Sequence, residues 1–144
     1  MMADSDFQLS ESQQAFLDTA LTSGYSKWCN PVLEEVRRGH AVMRFRPREE
    51  MLTPWGTLNG SVMNSLVELP SFVALVTELA DGELPVTSDI FIQHLRPMPG
   101  DVEYVLEGRL LRRGRTMAWT DVTASVDGKA VTLARITKSI VARA

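Results

Sequence analysis

Residues 51–77 carry one charged side chain, Glu68. Around it, Val62, Met63, Leu66, Val67, Leu69, Phe72, Val73, Leu75 and Val76 make a segment apolar on most of a helical circumference. A helix of that kind has to be buried on most of its sides. The rest of the chain must therefore supply a surface able to surround it. Asn59-Gly60-Ser61 opens the helix, with Asn59 as N-cap, and the apolar pattern carries it to about Leu79. Pro70 removes the hydrogen bond to the Leu66 carbonyl and should kink or restart the helix. One narrow stripe is polar: Ser61, Asn64, Glu68 and Ser71 follow the i, i+3, i+7, i+10 spacing of a single face. A lone carboxylate in such a setting is costly to bury without a partner. Carboxylates so placed are the ones recruited as acids, bases or nucleophiles.

The surrounding surface reads as strands. Ser10-Glu-Ser-Gln13 matches a capping box and predicts a short helix over Glu11–Leu21, stopped by Gly24. Two strands follow, over 32–38 and 41–46, turned at Gly39-His40. Residues 48–58, with Pro54 and Gly56, connect them to the apolar helix. Beyond Asp81-Gly82 the alternation predicts strands over 86–95, 101–112, 116–126 and 129–141, in meander order, the last two joined by the hairpin dipeptide Asp127-Gly128. The expectation is an α+β protein: about six antiparallel strands curled around one long helix. It is one domain over 1–144, with residues 1–30 as an N-terminal helical extension.

A net charge of −3 and a pI near 5.4 argue against a nucleic-acid footprint. The longest apolar tract, Val62 to Ala80, is interrupted by Asn64, Ser65, Glu68 and Pro70, so no membrane span is expected. Residues 1–7 show neither a basic nor an apolar leader region, which points to a cytoplasmic protein. Cys29 is the single cysteine and reads as a small semi-buried residue rather than a nucleophile. His40 and His94 lack Cys, Asp or Glu at metal spacing, so no metal is expected, and no motif asks for a cofactor. His94 shares a strand face with Ile90 and Ile92 and reads as structural or interfacial.

Three segments carry a family resemblance. Gly56-Thr57-Leu58-Asn59-Gly60-Ser61 opens the long helix, with Glu68 nine residues after Asn59. Thr87-Ser88-Asp89-Ile90-Phe91-Ile92-Gln93-His94-Leu95-Arg96-Pro97 is a strand ending in an apolar-Arg-Pro motif. Leu110-Leu111-Arg112-Arg113-Gly114-Arg115 is a basic hairpin. In this order the chain resembles the hotdog-fold acyl-CoA thioesterases of the PaaI type, over roughly Val32 to Val141. Their loop ends in His-Gly-Gly, with Asp or Glu nine residues after the His. Here Asn59 stands for the His and Ser61 for the second Gly, and the upstream Asn or Gln of many relatives falls near Thr53.

The resemblance implies hydrolysis of an acyl-CoA, with Glu68 as base or nucleophile and the Gly60 N–H as oxyanion donor. Asn59 caps the helix and can donate through its amide, and Thr87 lies where a water-orienting Ser or Thr is common. Ser61 and Asn64 face the substrate path. Arg112, Arg113 and Arg115 are candidate contacts for the phosphates of coenzyme A, though a solvated basic hairpin explains them as well. Gly60 and Glu68 lie about 12 Å apart along one helix, so one carbonyl cannot touch both. The family's answer is a homodimer, or a dimer of dimers, with composite sites. Two alternatives stand beside this: a non-catalytic hotdog module binding acyl thioesters, and a hotdog dehydratase, which would need a partner His.

Overall fold

A computed structural model describes residues 6–144. Residues 1–5 of the stretch read for a leader lie outside them. The capping box forms as its residues demand. The Ser10 side chain accepts the Gln13 N–H at 3.1 Å, and the Gln13 side chain accepts the Ser10 N–H at 3.0 Å. Helix α1 then covers Glu11–Leu21. Gly24 does not end the helical region but opens a second, short helix, α2 (Gly24–Cys29), closed by Asn30 in the left-handed conformation. Strands β1 (Val32–Arg37) and β2 (His40–Phe45) follow, and a single 3-10 turn at Glu49–Met51 leads into the next loop.

The long apolar helix comes in two segments, α3 (Gly60–Leu66) and α4 (Glu68–Val76), joined at Val67. Pro70 accounts for the break. It has no N–H for the Leu66 carbonyl, and it falls in the first turn of α4, where a missing N–H is tolerated. Both segments are buried along Val62, Met63, Leu66, Val73, Leu75 and Val76.

Strands β3 (Glu83–His94), β4 (Tyr104–Arg113), β5 (Met117–Val126) and β6 (Lys129–Ala142) complete one antiparallel sheet. Its order is β1-β2-β4-β5-β6-β3. Only β4, β5 and β6 therefore form the expected meander; β3 crosses to the far edge beside β6. The connection 95–103 is not a tight turn but a strap across the mouth of the sheet. It is held where the Leu58 N–H donates to the Met98 carbonyl at 2.7 Å and the Tyr104 hydroxyl donates to the Pro99 carbonyl at 2.6 Å. Burial pushes that hydroxyl up to about 12.

The sheet curls around α3 and α4, the hotdog arrangement. The approach is tight at Gly108 on β4, where a Cβ would stand 2.4 Å from the Pro70 carbonyl oxygen. Buried positions alternate strictly along β5 (Ala118, Thr120, Val122, Ala124); along β6 they fall at Thr132, Ala134, Ile136, Lys138 and Ile140, with Val131 and Thr137 buried between them. The outer edge of β3 has no strand partner among the described residues. No helix among them is long and apolar enough to cross a membrane.

Candidate active site

Glu68 opens α4, and it is not alone. Thr87 on β3 and Lys138 on β6 are register partners, so their side chains reach the helix from adjacent strands. The Lys138 ammonium donates to Glu68 Oε2 at 2.6 Å and to Thr87 Oγ1 at 2.8 Å, and the Thr87 hydroxyl donates to the same Oε2 at 2.7 Å. Lys138 is 3% exposed and Glu68 27%. The partnerless carboxylate expected from the sequence is thus one half of an ion pair. Lys138 was missed because it lies far from Glu68 in the chain. The trace it left was an inward position on β6, between Ile136 and Ile140, filled by a lysine.

Both donors converge on one oxygen. Oε1 of Glu68 has no hydrogen-bond partner among the described residues. The carboxylate opens into a cleft of about 280 Å³ with apolar walls from Leu21 of α1, Leu69, Phe72 and Pro85. Helix α1, read from sequence as an extension, therefore walls this site.

A second polar cluster lies at the start of α3. The Asn59 side chain accepts the Ser61 N–H at 2.9 Å, which takes up its oxygen in capping. The first N–H groups of a helix have no intrahelical acceptor, and the Gly60 N–H has none among the described residues. His94, at the end of β3, reaches this point: its Nε2 lies 3.0 Å from Asn64 Oδ1 and its Nδ1 2.9 Å from Thr132 Oγ1. Thr53 is taken up within its own loop, its hydroxyl 2.7 Å from that of Thr57.

The basic hairpin divides. The Arg113 guanidinium pairs with Glu83 and donates to the Arg115 carbonyl at 3.1 Å, so it pins the turn to the start of β3. Arg112 lies over the Trp119 ring at 5.8 Å, and both Arg112 and Arg115 are exposed. The hairpin sits at the Lys138 end of β6, where Ala118 pairs with Lys138. Cys29 is buried, and burial pushes its thiol up, which suits a packing role. His40 bonds Glu107 at 2.8 Å, away from both clusters.

The model of the thioesterase superfamily matches residues 56–132 of this chain. The chain belongs to that superfamily. Human acyl-coenzyme A thioesterase 13 is 30% identical over 105 residues, which is 71% of this chain and 74% of that one. Two solved structures share the fold. The Escherichia coli PaaI protein, from the phenylacetic acid degradation operon, superposes with a TM-score of 0.82 at 18% identity, over 94% of this chain and 98% of that one. A hypothetical thioesterase of Streptococcus pneumoniae, solved with coenzyme A, gives 0.72 at 23% identity, over 79% and 88%. The superfamily match covers α3, α4 and all of β3, β4 and β5, and so includes every member of both polar clusters except Lys138.

Proposed function

We propose that the protein hydrolyses an acyl-CoA to the free acid and coenzyme A, with Glu68 as base or nucleophile. The observation that carries this is the asymmetry of the Glu68 carboxylate, which lines the cleft: Thr87 and Lys138 hold Oε2, and Oε1 has no partner among the described residues. As base, Oε1 takes a proton from water while the resulting hydroxide adds to the thioester carbonyl carbon. As nucleophile, it adds to that carbon directly, and water then cleaves the acyl-enzyme anhydride. Either way negative charge develops on the carbonyl oxygen, and the Gly60 N–H is the donor suited to meet it. On the base route the C–S bond then breaks and the thiolate takes the proton back from Glu68; on the nucleophile route the C–S bond breaks as the anhydride forms, and the thiolate takes up a proton from the water that afterwards cleaves it. The name of the human relative and the coenzyme A in the streptococcal structure support CoA as carrier. Arg112 and Arg115 are the hairpin cations open to its phosphates.

The distance between Gly60 and Glu68 along the helix calls for two chains. Strand β3 offers the means: it is a free edge, and an unpaired edge is a template for a second strand. Its Thr87 adjoins Glu68, and its His94 adjoins Asn64 beside Gly60. A two-fold pairing of β3 with its copy, centred on Ile90 or Phe91, sets each Thr87 within one residue of the partner's position 94. Glu68 of one chain then faces Gly60 of the other, in two equivalent sites.

The non-catalytic reading keeps one argument. An ion pair with Lys138 gives Glu68 a structural use, and Asn59 replaces the family His. One experiment separates the two: free-thiol release from short, long and aromatic acyl-CoAs, for wild type and Glu68→Gln. Release that disappears in the variant supports the thioesterase. No release from any acyl-CoA, or equal rates in both proteins, overturns it.

A further inference from the structure

The cluster of Thr132, His94 and Asn64 is used by no step above, yet it lies beside Gly60. An amide oxygen only accepts, so the His94 ring donates from Nε2 to Asn64 Oδ1, while Nδ1 lies 2.9 Å from the Thr132 hydroxyl, which also reaches the weaker Met98 sulfur acceptor at 3.6 Å. Thr132 is fully buried, which fixes the far end of the relay. The relay therefore holds the Asn64 amide in one rotation. Its oxygen is taken up; its NH₂ group has no acceptor among the described residues, and the side chain is exposed. Asn64 and Gly60 are four residues apart on α3 and share a face. A Cβ on Gly60 would stand 3.6 Å from His94 Nε2, so the ring that holds Asn64 also lies beside Gly60.

Resting on the thioesterase reading, we infer that the Asn64 NH₂ group is a second donor to the thioester carbonyl oxygen, beside the Gly60 N–H, and that His94 and Thr132 are positioning residues that aim it. A purely structural clamp would engage both halves of the amide, whereas here the donor half is left open. The arrangement supplies from α3 and β3 a donor that the Asn59 loop does not, since Asn59 is turned to its cap.

The test combines kinetics with binding. Asn64→Ala should lower kcat roughly 100-fold, the usual loss for one oxyanion donor, with KM little changed. His94→Phe, which keeps the bulk and loses the relay, should fall in the same direction. The double variant should be no worse than Asn64→Ala alone, because the residues act as one unit. His94→Gln, whose amide can still donate to Asn64, should recover most of the loss. Losses that multiply in the double variant, or a wild-type kcat in His94→Phe, overturn the assignment. The second measurement needs no turnover: affinity for a ketone analogue, with CH₂ in place of the thioester sulfur, against an alkyl-CoA thioether lacking the carbonyl. Wild type should prefer the ketone, and Asn64→Ala and His94→Phe should lose that preference. If wild type hydrolyses nothing, the thioesterase reading fails, and the analogue pair still decides: a preference that depends on Asn64 upholds the donor, while equal binding, or no binding, overturns it.

Discussion

Lys138 changes what a substitution at Glu68 measures. Glu68→Gln removes the charge that faces an ammonium only 3% exposed. Removing one member of a buried ion pair costs about 3–5 kcal/mol, and the 27% exposure of Glu68 puts this case at or below the low end. Much of that cost is the uncompensated charge left behind, and it goes when the ammonium is removed as well. Glu68→Gln should therefore be inactive and less stable, and Glu68→Gln/Lys138→Met should regain most of the stability while staying inactive. Denaturant unfolding and thiol release on the two proteins check this. Activity returning in the double variant would remove Glu68 from the chemistry. Glu68 was legible in the sequence because its isolation is local: no other charge lies within residues 51–77. Its partners were not, because windowed patterns do not bring β6 next to α4. The same holds for His94, read as structural or interfacial while Asn64 was read as facing substrate, with nothing in the spacing to join them.

Among the elements, β3 is tied down at its start. The Arg113 guanidinium holds the Glu83 carboxyl below the usual carboxylate range, against the opposing effect of burial. A carboxyl with a depressed folded value stabilises above its unfolded value, roughly 4.3, and loses that contribution as pH falls through the folded value. Wild type should therefore exceed Glu83→Gln by about 1 kcal/mol or less at pH 7, since both partners are partly exposed. The gap should close on acidification toward pH 3. Urea unfolding at several pH values reads it, and a gap independent of pH would refute the pairing. Most elements followed from short-range chemistry: the Ser10–Gln13 capping box, the Asn59 cap, and the Asp127-Gly128 hairpin with both residues at positive φ. Three features escaped. Gly24 at positive φ reads equally as a stop and as the start of α2. The restart that Pro70 called for does occur, but its place, upstream at Val67, was not foreseen. The place of β3 depends on the strap 95–103, whose anchors on Leu58 and Tyr104 are long-range.

For the whole molecule, the proposed pairing through β3 makes a positional demand. A residue on the two-fold axis faces its own copy, so a cysteine there cross-links to itself. Ile90→Cys or Phe91→Cys should give a disulfide-linked dimer under mild oxidation, and a cysteine at Leu33, on the opposite edge strand, should not. Cys29, the single native thiol, is buried and should not interfere. Non-reducing electrophoresis gives the answer; a freely dissociated, fully active chain with no cross-link at either position would sink the composite site. The argument for two chains rests on a distance along a helix and so was open to the sequence. Which edge meets which was not, because sheet order is a property of the closed fold.

Strand β3 bears Thr87 toward one end and His94 at the other, so one segment presents two unlike half-sites. In the composite reading, a chain without a companion holds two incomplete sites rather than one weaker site. Below the dissociation constant of the pair, turnover would rise with the square of chain abundance, so gene dosage would govern activity more steeply than it governs protein amount.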